Sequence, residues 1–138
     1  MFDARCGTGL PATAKQIGSD VWANRNLFRL DKNGMPETMA GVPPDYFSKT
    51  GQLWGNPHYD WQVMYYEDYR WWRERFLTLL KLVDIVRIDH FRGFEGFWEV
   101  PAGEETAENG RWVKGPGKKF FASMLRYFSK LPIIAEDL

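Results

Sequence analysis

One cysteine, Cys6, and two histidines, His58 and His90, are the only thiol and imidazole side chains among 138 residues. A lone thiol excludes an intrachain disulfide and suits a reducing compartment. Neither histidine has ligand-type neighbours at the spacings zinc sites use, so no metal site is expected. Net charge is missing as well, since 18 Lys and Arg balance 18 Asp and Glu. Without a long-range field, nucleic acid and anionic membrane are not expected partners. No stretch approaches the ~20 apolar residues that span a bilayer. The first ten residues also lack the positive cluster and apolar run of a secretory signal. The expectation is a soluble, cytoplasmic protein, free of internal repeats and low-complexity segments.

What the chain has in excess is aromatic: 7 Trp, 6 Tyr and 10 Phe make up 17% of it. Such side chains bury large apolar areas, so they can form an ordinary core. Flat rings also stack on the apolar faces of pyranoses, so the same composition suits a sugar cleft. The length allows one modest domain.

Along the chain, residues 1–18 carry no period. Residues 19–55 read as a long loop punctuated by Gly34, Pro36, Gly41, Pro43, Pro44 and Gly51. Its aromatics, Trp22, Phe28, Tyr46, Phe47 and Trp54, argue against disorder, and such long loops are often functional. The spacing of Tyr65, Tyr69, Trp72, Phe76, Leu79 and Val83 predicts one amphipathic helix. Residues 83–89 are rich in β-branched side chains and predict a strand. An irregular stretch with Gly93, Gly96, Gly103 and Gly110 follows. A second helix is predicted from Gly117, burying Phe120, Met124, Phe128 and Leu131. Pro132 should stop it, ahead of a short strand at Ile133, Ile134 and Ala135. Helix, strand, loop, helix, strand is the order of a parallel α/β sheet.

Each predicted strand ends in a carboxylate, Asp89 in one case and Glu136 in the other. The C-terminal ends of parallel strands point into active sites, and neighbouring strands lie ~4.8 Å apart. Asp89 and Glu136 can therefore flank a single bond, as the nucleophile and acid/base of a retaining glycosidase do at about 5–5.5 Å. Arg87 lies two residues from Asp89 and faces the same way. A guanidinium there keeps the carboxylate ionised, as a nucleophile requires. The same residues also permit a plainer reading, in which Asp89 caps a helix or forms a simple salt bridge with Arg87.

A family resemblance bears on that choice. The run Val86-Arg87-Ile88-Asp89-His90-Phe91-Arg92-Gly93-Phe94 resembles the nucleophile strand of the amylomaltases, or disproportionating enzymes. These are 4-α-glucanotransferases of the broad α-amylase clan. Gly41-Val42-Pro43-Pro44-Asp45-Tyr46-Phe47-Ser48, with Gly51-Gln52-Leu53-Trp54-Gly55-Asn56-Pro57, is similar to the family's lid loop. Phe97-Trp98-Glu99-Val100-Pro101-Ala102, and Gly110-Arg111-Trp112-Val113 with Gly115-Pro116-Gly117, match the segment after the nucleophile. Ile133-Ile134-Ala135-Glu136-Asp137-Leu138 matches the acid/base strand. The resemblance runs from about Ser19 to Leu138, in the family's order.

It implies a partial (β/α)₈ barrel over residues 19–138, comprising roughly the middle strands and a long lid loop. It also implies a divergent segment at 1–18. Asp89 would be the nucleophile, Glu136 the acid/base and Arg87 the residue that orients Asp89. His90 would line the same subsite. Tyr46, Phe47 and Trp54 would flank the acceptor side, with Asp45 and Asn56 as further sugar contacts. The substrates would be malto-oligosaccharide or α-1,4-glucan donors and acceptors, with no cofactor and no protein partner. Two features depart from the family: its further carboxylate on a later strand lies beyond Leu138, and residues 9–15 lack an Asp-x-Pro start. A barrel typically needs ~250 residues, so the chain alone is expected to be poorly stable and inactive. A hydrolase of the same clan and a non-catalytic glucan-binding remnant are the alternatives.

Overall fold

The computed structural model of the chain describes residues 18–136. The expected separate segment at 1–18 lies, apart from Gly18, outside the described residues, as do Cys6, Asp137 and Leu138. In chain order the elements are helix α1 (Ser19–Ala23), strands β1 (Thr38–Val42) and β2 (Gln52–Pro57), helices α2 (Trp61–Tyr66) and α3 (Arg70–Leu79), strands β3 (Val86–Ile88), β4 (Gly96–Pro101) and β5 (Arg111–Lys114), helix α4 (Lys118–Tyr127) and strand β6 (Ile133–Ala135). The class is mixed α/β. Strands β3 and β6 pair in parallel, and a separate antiparallel sheet has the order β2-β1-β4-β5.

The antiparallel sheet departs from the sequence expectation. Residues 19–55, read as loop, contain α1, β1 and β2, and the glycine-rich stretch after Asp89 contains β4 and β5. Glycine misleads here because it serves close packing inside strands as well as turns. At Gly41, within β1, a Cβ would collide with the carbonyl oxygen of Gln52. At Gly110, leading into β5, it would collide with the Trp98 indole, whose Nε1 donates to the Ala107 carbonyl at 2.8 Å.

The single helix predicted through Tyr65 and Val83 is in fact two. Asp60 caps α2, its Oδ1 accepting from the backbone N–H groups of Gln62 (3.1 Å) and Val63 (3.0 Å). The chain then breaks at Asp68 and Tyr69, which sit at φ +49° and +52°. Helical periodicity survives the break, so it leaves no trace in the apolar pattern. The Asp68 carboxylate accepts from Ser123 Oγ at 2.7 Å and Arg126 at 2.6 Å, and pairs with Arg73 at 2.9 Å and the Tyr127 hydroxyl at 3.2 Å. The Ser123 hydroxyl is the main reason its carboxyl lies below the ordinary value, with Tyr127, Arg126 and Arg73 adding to it against some desolvation. This corner clamps the α2–α3 break to α4.

The predicted strand at 83–89 shrinks to β3, and α4 ends at Tyr127, with Phe128 already extended ahead of Pro132. The core lies between these pieces. Trp72 and Phe76 of α3, Phe120 and Met124 of α4, Val86 and Ile88 of β3, and Phe94 are all buried. Trp72 stacks with Trp61 at 6.3 Å and meets Phe94 (5.6 Å) and Phe120 (5.5 Å) edge-on. Such ring pairs contribute about 0.5–1.5 kcal/mol each beyond their buried area. Because Val86 and Ile88 face this core, alternation turns Arg87 to the open side of β3.

A buried carboxylate lies in the antiparallel sheet and a buried imidazole just past the end of β2. Glu99 of β4, 2% exposed, is held by Arg111 at 2.7 Å and by Arg29. Burial pushes its carboxyl up, but the hydrogen bonds and charges of Arg111 and Arg29 prevail and hold it below the usual value. His58 lies 4.5 Å from the Phe97 ring, and its Nε2 finds no hydrogen-bond partner among the described residues. Burial lowers its pKa to about 4, outweighing the nearby Glu99 charge. The fold therefore keeps His58 neutral, while the unfolded chain protonates it below about 6.5. Stability from this group is complete above pH 6.5 and is lost as pH falls toward 4. Between pH 7 and 4.5 the loss should be about 2.5 kcal/mol. Urea unfolding of the chain and of His58→Gln at both pH values tests this, since equal acid losses in the two proteins would contradict it.

Candidate active site

Three-residue strands hold the two predicted carboxylates side by side. Strands β3 and β6 pair in the register Val86↔Ile133, Arg87↔Ile134 and Ile88↔Ala135. The next positions in that register are Asp89 and Glu136. The backbone continues to link them, because Glu136 N–H donates to the Ile88 carbonyl and Phe91 N–H to the Glu136 carbonyl, both at 2.9 Å. Both residues are half-buried.

Arg87 grips Asp89 with two nitrogens, Nε lying 2.6 Å from Oδ1 and Nη2 donating to Oδ2 at 3.2 Å. Oδ1 is shut off from solvent and accepts no well-aligned hydrogen bond among the described residues, so its approach to Nε is a charge contact. The Asp89 side chain is 14% exposed against 42% for Arg87. The pair thus presents a charged, fixed carboxylate on the open face of β3. Asp89 forms no helix cap: the 3₁₀ turn Phe91–Phe94 begins after His90, with no side-chain cap.

His90 follows in a left-handed conformation, φ +53° and ψ +49°. Its backbone N–H donates to Glu136 Oε2 at 3.2 Å. Its ring meets Trp54 of β2 edge-on, with centroids 5.0 Å apart. Asp89, Glu136, Arg87, His90 and Trp54 therefore form one neighbourhood, although Trp54 comes from the other sheet. Asn56 lies two residues further along β2 and is half-buried.

Asp45, Tyr46 and Phe47 sit apart from the strand tips, on the turn joining β1 to β2. Asp45 Oδ1 accepts from the N–H groups of Phe47 (2.8 Å) and Ser48 (2.7 Å), and Ser48 Oγ donates to the Gly51 carbonyl at 2.7 Å. One oxygen of the predicted sugar contact Asp45 is therefore occupied in shaping the turn. That turn holds Tyr46 and Phe47 out in solvent, 96% and 93% exposed, with their rings packed edge-on at 5.6 Å.

Sequence reasoning missed the His90 amide, the Glu99 clamp and the Asp68 corner. The first depends on a positive φ at a residue other than glycine, for which the sequence carries no signal. The other two are charge pairings between residues far apart in the chain. Among the described residues no helix is long and apolar enough to cross a membrane, and no group of three or more His, Cys, Asp or Glu could hold a metal ion.

Comparison with known proteins gives concordant matches. The family described as 4-alpha-glucanotransferase matches residues 4–138. A 4-alpha-glucanotransferase of Aquifex aeolicus (strain VF5) is 59% identical over 129 residues, covering 94% of this chain and 27% of that protein. The chloroplastic/amyloplastic 4-alpha-glucanotransferase of Solanum tuberosum is 52% identical, covering 94% of this chain and 22% of its own length. Among solved structures, the amylomaltase from Streptococcus agalactiae in complex with acarbose aligns with a TM-score of 0.83 at 44% identity, over 86% of this chain and 24% of that one. The chain thus spans about a quarter of the length of the relatives it matches.

The turn carrying Tyr46 and Phe47 depends on Gly51, which sits at φ +69° with its missing Cβ aimed at the Val42 carbonyl oxygen. Gly51→Ala should cost about 2 kcal/mol through strain and collision. Urea unfolding measures that loss, and faster tryptic cleavage after Lys49 should accompany it.

Proposed function

Because this chain belongs to the 4-alpha-glucanotransferase family, we propose that it carries the nucleophile and acid/base of a retaining α-1,4-glucan transferase. The observation behind this reading is the register of β3 and β6, which sets Asp89 and Glu136 side by side with Arg87 fixed on Asp89. In the first step an Asp89 carboxylate oxygen attacks the anomeric carbon. The bond from that carbon to the leaving oxygen breaks, and Glu136 gives its proton to that oxygen. A β-linked glycosyl-enzyme ester results. In the second step Glu136 takes a proton from the 4-hydroxyl of an incoming glucan, whose oxygen attacks the anomeric carbon and releases Asp89. Two inversions retain the α configuration.

The two sheets then have distinct duties. Strands β3 and β6 are neighbouring strands of a (β/α)₈ barrel, with the carboxylates at their C-terminal tips. Strands β1 and β2 carry the lid, where Tyr46 and Phe47 receive the acceptor sugar, Trp54 walls the cleft beside His90, and Asp45 Oδ2 and Asn56 offer sugar contacts. An aromatic wall that binds glucan and excludes water favours a sugar hydroxyl over water as acceptor. The acceptors and donors are malto-oligosaccharides or longer α-1,4-glucans. Exposed Ile85 and Ile134 fall on the same face as Arg87 by alternation and register, and the rest of a barrel would cover them.

Two experiments test the proposal. The 138-residue polypeptide alone should not convert maltotriose. A hybrid in which it replaces the matching quarter of the Streptococcus agalactiae amylomaltase should give a ladder of longer products, and Asp89→Asn or Glu136→Gln should each lower that rate by at least about 10³-fold. Glucose and maltose without a ladder would mean hydrolysis. A hybrid whose transfer survives Asp89→Asn would refute the assignment.

A further inference from the structure

In an uninterrupted parallel ladder, the strand whose Ile88 carbonyl accepts from Glu136 N–H returns the next bond from the N–H of residue 90 to the Glu136 carbonyl. Here that bond comes instead from Phe91, at 2.9 Å. His90 is thus an inserted residue, a bulge beside the nucleophile. Its left-handed φ of +53° turns the displaced N–H onto the Glu136 side chain, with Oε2 3.2 Å away. Bulges next to active sites re-aim groups in this manner. The ring is fixed by the same device: Trp54 abuts it at 5.0 Å, and Gly93 leaves room where a Cβ would come within 3.3 Å of the His90 Cδ2.

We propose that His90 is a positioning residue that acts through its backbone amide, holding the Glu136 carboxyl at the leaving-group oxygen. The inference rests on the reading of Glu136 as acid/base. It separates His90 from an ordinary sugar contact, because what matters is the ability to adopt positive φ rather than the imidazole. Glycine and asparagine tolerate that conformation, whereas a β-branched residue resists it.

Amide exchange in the hybrid tests the geometry. Glu136→Ala should speed hydrogen exchange of the His90 amide by about 10-fold or more while leaving the Phe91 amide unchanged, because Phe91 bonds to backbone. Unchanged exchange at His90 would overturn the proposal whatever the enzyme does. The hybrid tests the function. With maltotriose, His90→Val should lose about 10²-fold more kcat than His90→Gly or His90→Asn, the scale of general acid catalysis. With α-maltosyl fluoride, whose fluoride leaves without a proton, His90→Val should form the Asp89 ester at nearly the parent rate. That rate also shows that the variant is folded and its nucleophile intact. Equal losses on both donors, or Gly and Val variants that behave alike, would overturn the proposal. A parent hybrid inactive on both donors would instead count against the enzymatic reading, with the exchange result still deciding the hydrogen bond.

Discussion

Three residues of β3 against three of β6 set the whole site. The pairing is short and parallel, and it is secured from behind rather than by its own ladder. Val86 and Ile88 are pressed into the aromatic cluster of Trp72, Phe94 and Phe120, so β3 cannot roll without exposing them. Alternation then dictates that Arg87 and Asp89 face the open side. A one-residue slip of either strand would exchange the core face for the site face. The packing that stabilises the fold is therefore also what aims Asp89.

The charged clusters act at the edges of that arrangement. Asp68 ties the α2–α3 break to α4, the helix that leads into β6. Glu99, gripped from both sides by Arg29 and Arg111, joins β4 and β5 to the segment before β1. A buried carboxylate with two guanidinium partners is costly to break, because removing either partner leaves charge without compensation.

The sequence disclosed the carboxylates, the strand ends they occupy, α4 and the aromatic core, because each leaves a local pattern. β-branched runs mark β3 and β6, and the spacing of Phe120 and Met124 marks a helix face. The antiparallel sheet left no such pattern. Its strands are interrupted by Gly41, which close packing requires, by Gly55, at φ +78° where β2 shifts register against β1, and by Gly96, and all three read as loop in isolation. The break at Asp68 and Tyr69 was invisible for the opposite reason: the apolar period runs straight through it. The pairing of Asp89 with Glu136 was legible from the strand ends, yet the placement of Trp54 against His90 and of the His90 amide against Glu136 depends on backbone conformations that no residue type announces.

Strand β4 begins only a short turn after Asp89 and then pairs with β1, whose far end launches the turn bearing Tyr46 and Phe47. The base of that turn is consequently anchored to the same stretch of backbone as Asp89. Insertions, deletions or wholesale replacement between Pro43 and Thr50 would alter what the aromatic tip reaches while leaving its root at a fixed offset from Asp89. The architecture separates a tip that can be rebuilt from a root that must stay still.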